Sequence, residues 1–358
     1  MPPQDEQLSS VLARWAGDEP ERHAVARSIG ALERAAVVLR RKLVLSVFDS
    51  EVGDALRTNA SGEETKRLDA EAEAIVLSAL REAPVAAVAS EESDHAIALS
   101  PCAPLVAAVD PLDGSGNLHA NGPMGLIFSL RPALGHGCEA GVNPEATSDL
   151  AAHFRRPGDE QVAAGVVVYG PSTVLALTTG EGVDLYGLGP DEEAFSRVKR
   201  GIGVPLGTPL YAVNSANARH WTPEFRAYVA DLQAGAAGFR GRDFNMRWYG
   251  ALCIEALRIL KLGGVYLYPA DNRPEHYEGR LRLVYEAHPV AMLVEQAGGA
   301  ATDGHRRILE KEALSLHERT PFVFGSKDKV DRVTRYLESE RSDAERQPLF
   351  ARRGMLRD

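Results

Sequence analysis

The chain has 358 residues, a formal net charge of −10, 44% apolar residues and 25% charged ones. This is the composition of a soluble globular protein, long enough for two domains and a large core. No basic stripe is present to neutralise nucleic-acid phosphates, and no apolar run approaches the roughly 18 residues that span a bilayer. The start, Met1-Pro2-Pro3-Gln4-Asp5-Glu6, lacks the basic region and apolar core of a signal peptide, so a cytoplasmic protein is expected. Cys102, Cys138 and Cys253 show no ligand-like spacing, and reduced thiols are expected.

An Ala/Leu/Val-rich helical pattern runs from about Glu21 to Val47, and a second runs from about Glu63 to Arg81, ending before Pro84. Strands are expected at about 85–89, 105–109 and 124–131. The segment 132–160, rich in Gly, Pro, Asp and Glu, reads as a long surface loop. β patterns return at about 162–169, 173–178 and 183–187, separated by Gly-Pro and Gly-Glu-Gly turns. From about residue 200, helices near 223–235, 248–262 and 287–297 alternate with short strands near 211–214, 264–268 and 321–324. That alternation argues for a second α/β layer. The charged last ~18 residues carry no core period and are expected to be disordered or loosely docked.

Two acidic clusters stand where strands should end. Asp110 follows the apolar run Leu105–Val109, at the carboxyl end where open α/β sheets place ligands. Pro111 is expected to stop that strand and turn Asp113 back toward Asp110. Glu91 and Glu92 follow a second apolar run, Val85–Ala89. Four carboxylates in two such clusters suit Mg²⁺ or Mn²⁺. Gly114 allows close backbone approach, and Ser115 and Gly116 offer a hydroxyl and N–H groups to an anion. Alone, an Asp-Pro-x-Asp-Gly turn is a solvated loop and a Glu-Glu pair a helix end. Together, each after an apolar run, they point to metal-assisted phosphate chemistry, because burying four carboxylates without a cation is costly.

Other groups could complete such a site. Glu63 is equally a helix-start acid, but it or Asp69 could orient an attacking water. Asn214 ends the strand-like Tyr211–Val213 and is either a turn residue or an amide donor to phosphate. Arg242 and Arg247 flank Phe244–Met246 just before the helix expected near Trp248, where free N–H groups could help bind a polyanion. Tyr268, Arg280 and Arg282 lie in a polar loop-and-strand region, and Arg280 could clamp a second phosphate. Glu286, at a strand-to-helix junction, is either a cap-region acid or a further metal ligand.

The accumulated pattern resembles class I fructose-1,6-bisphosphatase of the bacterial type. The matching segments are Ser90-Glu91-Glu92, Asp110–Asn117 (DPLDGSGN), Ala163–Thr173 (AAGVVVYGPST), Asn214–Trp221 (NSANARHW), Arg240–Trp248 (RGRDFNMRW), Gly263–Pro269 (GGVYLYP), Gly279–Glu286 (GRLRLVYE), Val294–Gly299 (VEQAGG) and Ser315-Leu316-His317. The DPLDG turn by itself marks only the wider Mg²⁺-dependent, lithium-sensitive phosphatase superfamily.

The resemblance implies a layered α/β/α/β/α fold with two mixed sheets. It implies a metal- and 1-phosphate-binding domain over 1–200, a domain over 201–335 for the sugar and 6-phosphate, and a charged tail over 336–358. It further implies a homotetramer that hydrolyses the 1-phosphate of fructose 1,6-bisphosphate, in gluconeogenesis or the Calvin cycle. The implied metal ligands are Glu91, Glu92, Asp110, the Leu112 carbonyl, Asp113 and Glu286. Asp69, Glu63 and Glu92 would be catalytic acids, and Asp113, Gly114, Ser115 and Gly116 would meet the 1-phosphate side of the substrate. Asn214, Tyr268 and Arg280 would hold the sugar and 6-phosphate, with Arg247 entering from a neighbouring subunit.

Departures from the family pattern are Glu63 for Asp, Gly116 for Ser, His119 for Asp, Arg280 for Lys and Trp248 for Tyr. Pro104 and Leu105 stand where AMP-inhibited members carry Lys and Tyr, which argues against that inhibition. Cys138 alone in the 132–160 segment excludes a disulfide confined to it. His119 and Arg280 leave room for sedoheptulose 1,7-bisphosphate as an alternative substrate. A monophosphatase is disfavoured by the second cationic clamp, and an inactive scaffold by the complete acidic set.

Overall fold

The computed structural model describes residues 6–46, 61–135 and 149–338, with side chains from residue 67 onward in the helix that opens at Ser61. Helices α1 (Leu8–Ala16), α2 (Pro20–Leu45) and α3 (Ser61–Arg81) form an outer layer. In α2 the buried residues Val25, Ile29, Leu32, Ala36 and Leu39 recur at three- and four-residue steps, the stripe that a helix needs to lie on a sheet.

The sheet beneath has eight strands in the order β2-β1-β3-β4-β5-β6-β7-β8. They are β1 (Val85–Ser90), β2 (Ile97–Ala98), β3 (Leu105–Asp113), β4 (Met124–Pro132), β5 (Ala163–Tyr169), β6 (Thr173–Thr178), β7 (Asp184–Leu188) and β8 (Ser196–Lys199). Only β1 and β3 pair in parallel, so the sheet is mixed. Along β3, Leu105, Ala107 and Val109 join the core under the outer helices, whereas Val106 and Ala108 join a core on the opposite face. A strand covered on both faces reads as a continuous apolar run.

The second core holds helices α5 (Leu252–Leu262) and α6 (His288–Gln296) as a middle layer. Beyond it lies a five-stranded mixed sheet, β10-β9-β11-β15-β13. Its strands are β9 (Leu210–Val213), β10 (Asn245–Met246), β11 (Val265–Tyr268), β13 (Ala300–Thr302) and β15 (Phe322–Gly325), while β12 (Leu281–Arg282) and β14 (Arg319–Thr320) pair separately. Helices α4 (Pro223–Gln233) and α7 (Lys327–Glu338) close the far side over Tyr211, Val213, Val265, Leu267 and Val323. The result is the expected α/β/α/β/α order with two mixed sheets.

Four expectations need correction. Pro111 does not stop its strand: β3 continues to Asp113, and the missing donor is absorbed by an irregular register between Asp110 and Asp113. The helix expected from 248 begins only at Leu252, because Ala251 is extended (φ −132°, ψ 136°). The 132–160 segment is not all surface loop: short 3₁₀ turns at Leu150–His153 and Gly158–Glu160 carry His153, Phe154 and Gly158 into the interior. Cys102 is disulfide-bonded rather than reduced, while Cys253 is buried and free; Cys138 lies outside the described residues. Helices α1 and α7 have no counterpart among the expected elements.

Candidate metal and phosphate site

Three carboxylates converge where the first sheet meets the middle layer. Asp110 and Asp113 come from the irregular end of β3, and both are buried. The Leu112 N–H donates to Asp110 Oδ1 (3.1 Å), folding that carboxylate back over the bulge. Glu286 comes from a π-turn, Leu283–Ala287, that runs directly into α6; such turns re-aim side chains at functional sites. One oxygen from each of Asp110, Asp113 and Glu286 lies within 4.8 Å of the others. Behind them Arg131 of β4, almost fully buried, reaches His288 Nδ1 at the start of α6 (2.7 Å) and fixes the helix that follows Glu286.

Glu91 leaves the end of β1 with its N–H on the Val109 carbonyl (3.1 Å), and its carboxyl lies close enough to Asp110 for each to shift the other's pKa. Glu92 stands next to it, exposed at the rim. On α3, the buried Asp69 accepts from Ser115 Oγ at Oδ2 (3.4 Å), while its Oδ1 is buried without a hydrogen-bond partner among the described residues. Gly114, at φ +77°, starts the turn of Ser115–Ala120 that brings Ser115 there. Gly116 lies in that turn, exposed. The side chain of Glu63 lies outside the described residues.

Like charges this close raise one another's pKa. Burial, then Glu91, Asp113 and Glu286, hold Asp110 well above the usual carboxylate range. Burial and Glu91 do the same to Glu286. Burial lifts Glu91 and Asp69, opposed by Arg282 in the first case and Ser115 in the second. Glu92 is pushed up to about 7 by desolvation and by Asp69, Glu91 and Glu73. An all-oxygen donor set crowded with negative charge fits a hard divalent cation, which would replace the protons that this crowding otherwise demands.

One cation near these acids, Arg282, is placed by the sequence only in a polar loop-and-strand region, with no role of its own. Arg282, on β12, puts Nη2 3.9 Å from Glu91 Oε1, and its N–H donates to Glu286 Oε2. The signal for it is its place two residues from Arg280 and four before Glu286.

A second group faces the same cleft from the five-stranded sheet. Trp248 stacks on Tyr266 (5.8 Å between rings, 8° apart) and tilts against Tyr268 (5.7 Å). Arg280 places its guanidinium carbon 5.9 Å from the centre of the Tyr268 ring and sits 3.9 Å from Asp271. Asp271 is already bound by Arg273, which also donates to Asn217 Oδ1 (3.1 Å). Asn214 caps its own turn, accepting from the Ala216 N–H (3.2 Å). Arg247 is exposed on the strand edge, donating to the Met246 carbonyl (3.1 Å).

Two family models match the chain: "Fructose-1-6-bisphosphatase, N-terminal domain" over residues 23–200 and "Fructose-1-6-bisphosphatase, C-terminal domain" over 204–338. A class 1 fructose-1,6-bisphosphatase of Rhodopseudomonas palustris (strain BisA53) is 42% identical over 351 residues, covering 98% of each chain. One of Bradyrhizobium sp. (strain BTAi1) is 46% identical over 334 residues, 92% of each. The crystal structure of Leishmania major fructose-1,6-bisphosphatase in its holo form superposes with a TM-score of 0.82 at 29% identity, covering 93% of this chain and 99% of that one. With both domain models matched in order and relatives aligned end to end, the chain belongs to the class 1 fructose-1,6-bisphosphatase family.

Proposed function

We propose that the chain is a divalent-metal-dependent phosphoric monoester hydrolase that removes the 1-phosphate of fructose 1,6-bisphosphate. The observation that carries this reading is the buried set Asp110, Asp113 and Glu286 beside an anion-accepting turn, in a chain of this family. Asp110, Asp113, Glu286, Glu91 and Glu92, with the Leu112 carbonyl, would hold Mg²⁺ (or Mn²⁺). A cation there supplies Lewis acidity toward the phosphoryl group and neutralises its charge.

The chain's own groups do the rest. The Gly114–Gly116 backbone and the Ser115 hydroxyl hold the 1-phosphate in line with an attacking water. Asp69, Glu92 or Glu63 takes that water's proton; the orphan Oδ1 of Asp69 is free to accept it. Tyr268, Arg280 and Asn214 receive the sugar and 6-phosphate. The exposure of Arg247 supports its reaching the 6-phosphate of a neighbouring copy in a homotetramer. The matches at 23–200 and 204–338 support a functional division near residue 200; the second match takes in residues 336–338 with the end of α7. No helix among the described residues is long and apolar enough to cross a membrane, which agrees with a cytoplasmic enzyme.

The test is phosphate release from fructose 1,6-bisphosphate with Mg²⁺ and with EDTA, alongside sedoheptulose 1,7-bisphosphate. Turnover that EDTA abolishes, and that favours the fructose ester in kcat/KM, is expected. No release from either sugar would refute the reading.

A further inference from the structure

The start of α5 meets the site in a way no local sequence pattern announces. Asp113 pairs across the sheet with Gly125 of β4. A Cβ on Gly125 would lie 2.6 Å from the Cβ and 2.7 Å from the Sγ of Cys253. The missing side chain therefore makes the space in which Cys253, fully buried, seats against the strand pair. There its N–H donates to Asp113 Oδ2 (2.6 Å), with its side chain seated in the space that Gly125 leaves. The free N–H groups at the start of an eleven-residue helix thus meet an acidic side chain instead of a bound anion. Glu255, buried one turn on, accepts from the Tyr249 N–H (2.9 Å) and from Arg258 Nε (2.9 Å), and so anchors the approach to the helix.

We propose that Cys253 is a positioning residue for metal binding: its side chain, seated in the space left at Gly125, sets its amide on Oδ2 of Asp113, so that Oδ1 is presented to the cation. The inference rests on the metal reading above. Donors on the outer oxygen of a ligating carboxylate fix its rotamer, and removing such a donor typically weakens metal binding by about 10–100-fold. Because α5 follows directly on Arg247, Trp248 and Tyr249, the same contact ties the sugar-binding side of the cleft to Asp113.

The experiment titrates metal-stripped protein with Mn²⁺, followed by the spin-resonance signal of the free ion, with melting in EDTA as the fold control. Wild type, Cys253→Ala, Cys253→Ser and Asp113→Asn are compared. Alanine and serine are no larger than cysteine, so neither overfills the space at Gly125. The alanine variant should weaken Mn²⁺ binding by about tenfold. Serine, which refills most of the space at Gly125, should return it to within about twofold of wild type at a similar EDTA melting temperature. Alanine binding as tightly as wild type, or serine no better than alanine, would overturn the assignment while leaving the metal site intact. A wild type that binds no Mn²⁺, or an Asp113→Asn that binds as wild type does, would overturn the metal reading and this inference with it.

Discussion

The two halves of the cleft solve opposite electrostatic problems. Where the first sheet meets the middle layer, Asp110, Asp113 and Glu286 are buried with little positive charge beyond Arg282, so the folded chain holds a field that only protons or a cation can relieve. In the segment that follows β11, Arg280 and Arg273 share Asp271, while Arg247, just past β10, is exposed. The carboxylate side is built tight and suits positive charge; on the arginine side Arg273 holds Asp271 firmly, while Arg280, 3.9 Å from it, and the exposed Arg247 are loosely held and can take a phosphate. The proposed function puts metal and reacting phosphate where geometry is fixed, and the non-reacting phosphate where charge is mobile.

The sharpest way to break this contrast is at β3. Asp113→Ala should abolish turnover, by about 10³-fold or more, because it removes one of the proposed metal ligands. Asp110→Asn should also inactivate, yet it should stabilise the metal-free protein by on the order of 1–3 kcal/mol, since an amide can still accept the Leu112 N–H without adding charge. Normal activity in either variant would sink the ligand assignment. A lower melting temperature of Asp110→Asn in EDTA would show that the carboxylates are not in mutual strain.

Arg280→Ala comes next in size. Losing a charge-assisted clamp on the second phosphate should raise KM by about 10–100-fold and leave kcat within a fewfold. A drop confined to kcat would move Arg280 from substrate binding to chemistry. Arg247→Ala should give a smaller rise in KM, about tenfold, and only in the assembled oligomer. The same rise in a protein shown to be monomeric by sedimentation would exclude donation between subunits.

How much of this is legible in the sequence depends on whether the cause is local. The apolar runs 85–89 and 105–109 declare buried strands, and the acids after them declare a cluster, because burial on both faces and strand-end chemistry are written in consecutive residues. The layer order comes with the family resemblance, and the structure bears it out. Long-range placement is not legible. That α5 aims its N–H groups at Asp113, 140 positions away in sequence, depends on packing against Gly125, which in sequence is one more glycine in a strand. Pro111 misleads because a lone proline normally ends pairing; here the irregular register carries the strand past it. Arg282 is overshadowed by Arg280, since two arginines two positions apart look alike in sequence until Glu91 is brought beside one of them.

The smallest effect is the most diagnostic of the charge imbalance. Glu92, with an ordinary pKa near 4.5, titrates at about 7 in the folded metal-free protein. Between those values the folded state binds more protons than the unfolded one, so stability falls as pH rises through that window. Asp69, Glu91, Asp110, Asp113 and Glu286 are raised as well and act in the same direction. His288 works the other way: burial and Arg131 hold it well below its usual value, so its share of stability grows as pH rises toward 6.5. The informative quantity is therefore the difference between wild type and Glu92→Gln in urea unfolding with EDTA, from pH 5 to 7.5. Wild type should lose more stability than the variant over that range. Mg²⁺, by taking the place of the bound protons, should stabilise wild type most at the alkaline end. If the two proteins run parallel, Glu92 is an ordinary rim carboxylate, and the negative field stops at the buried acids.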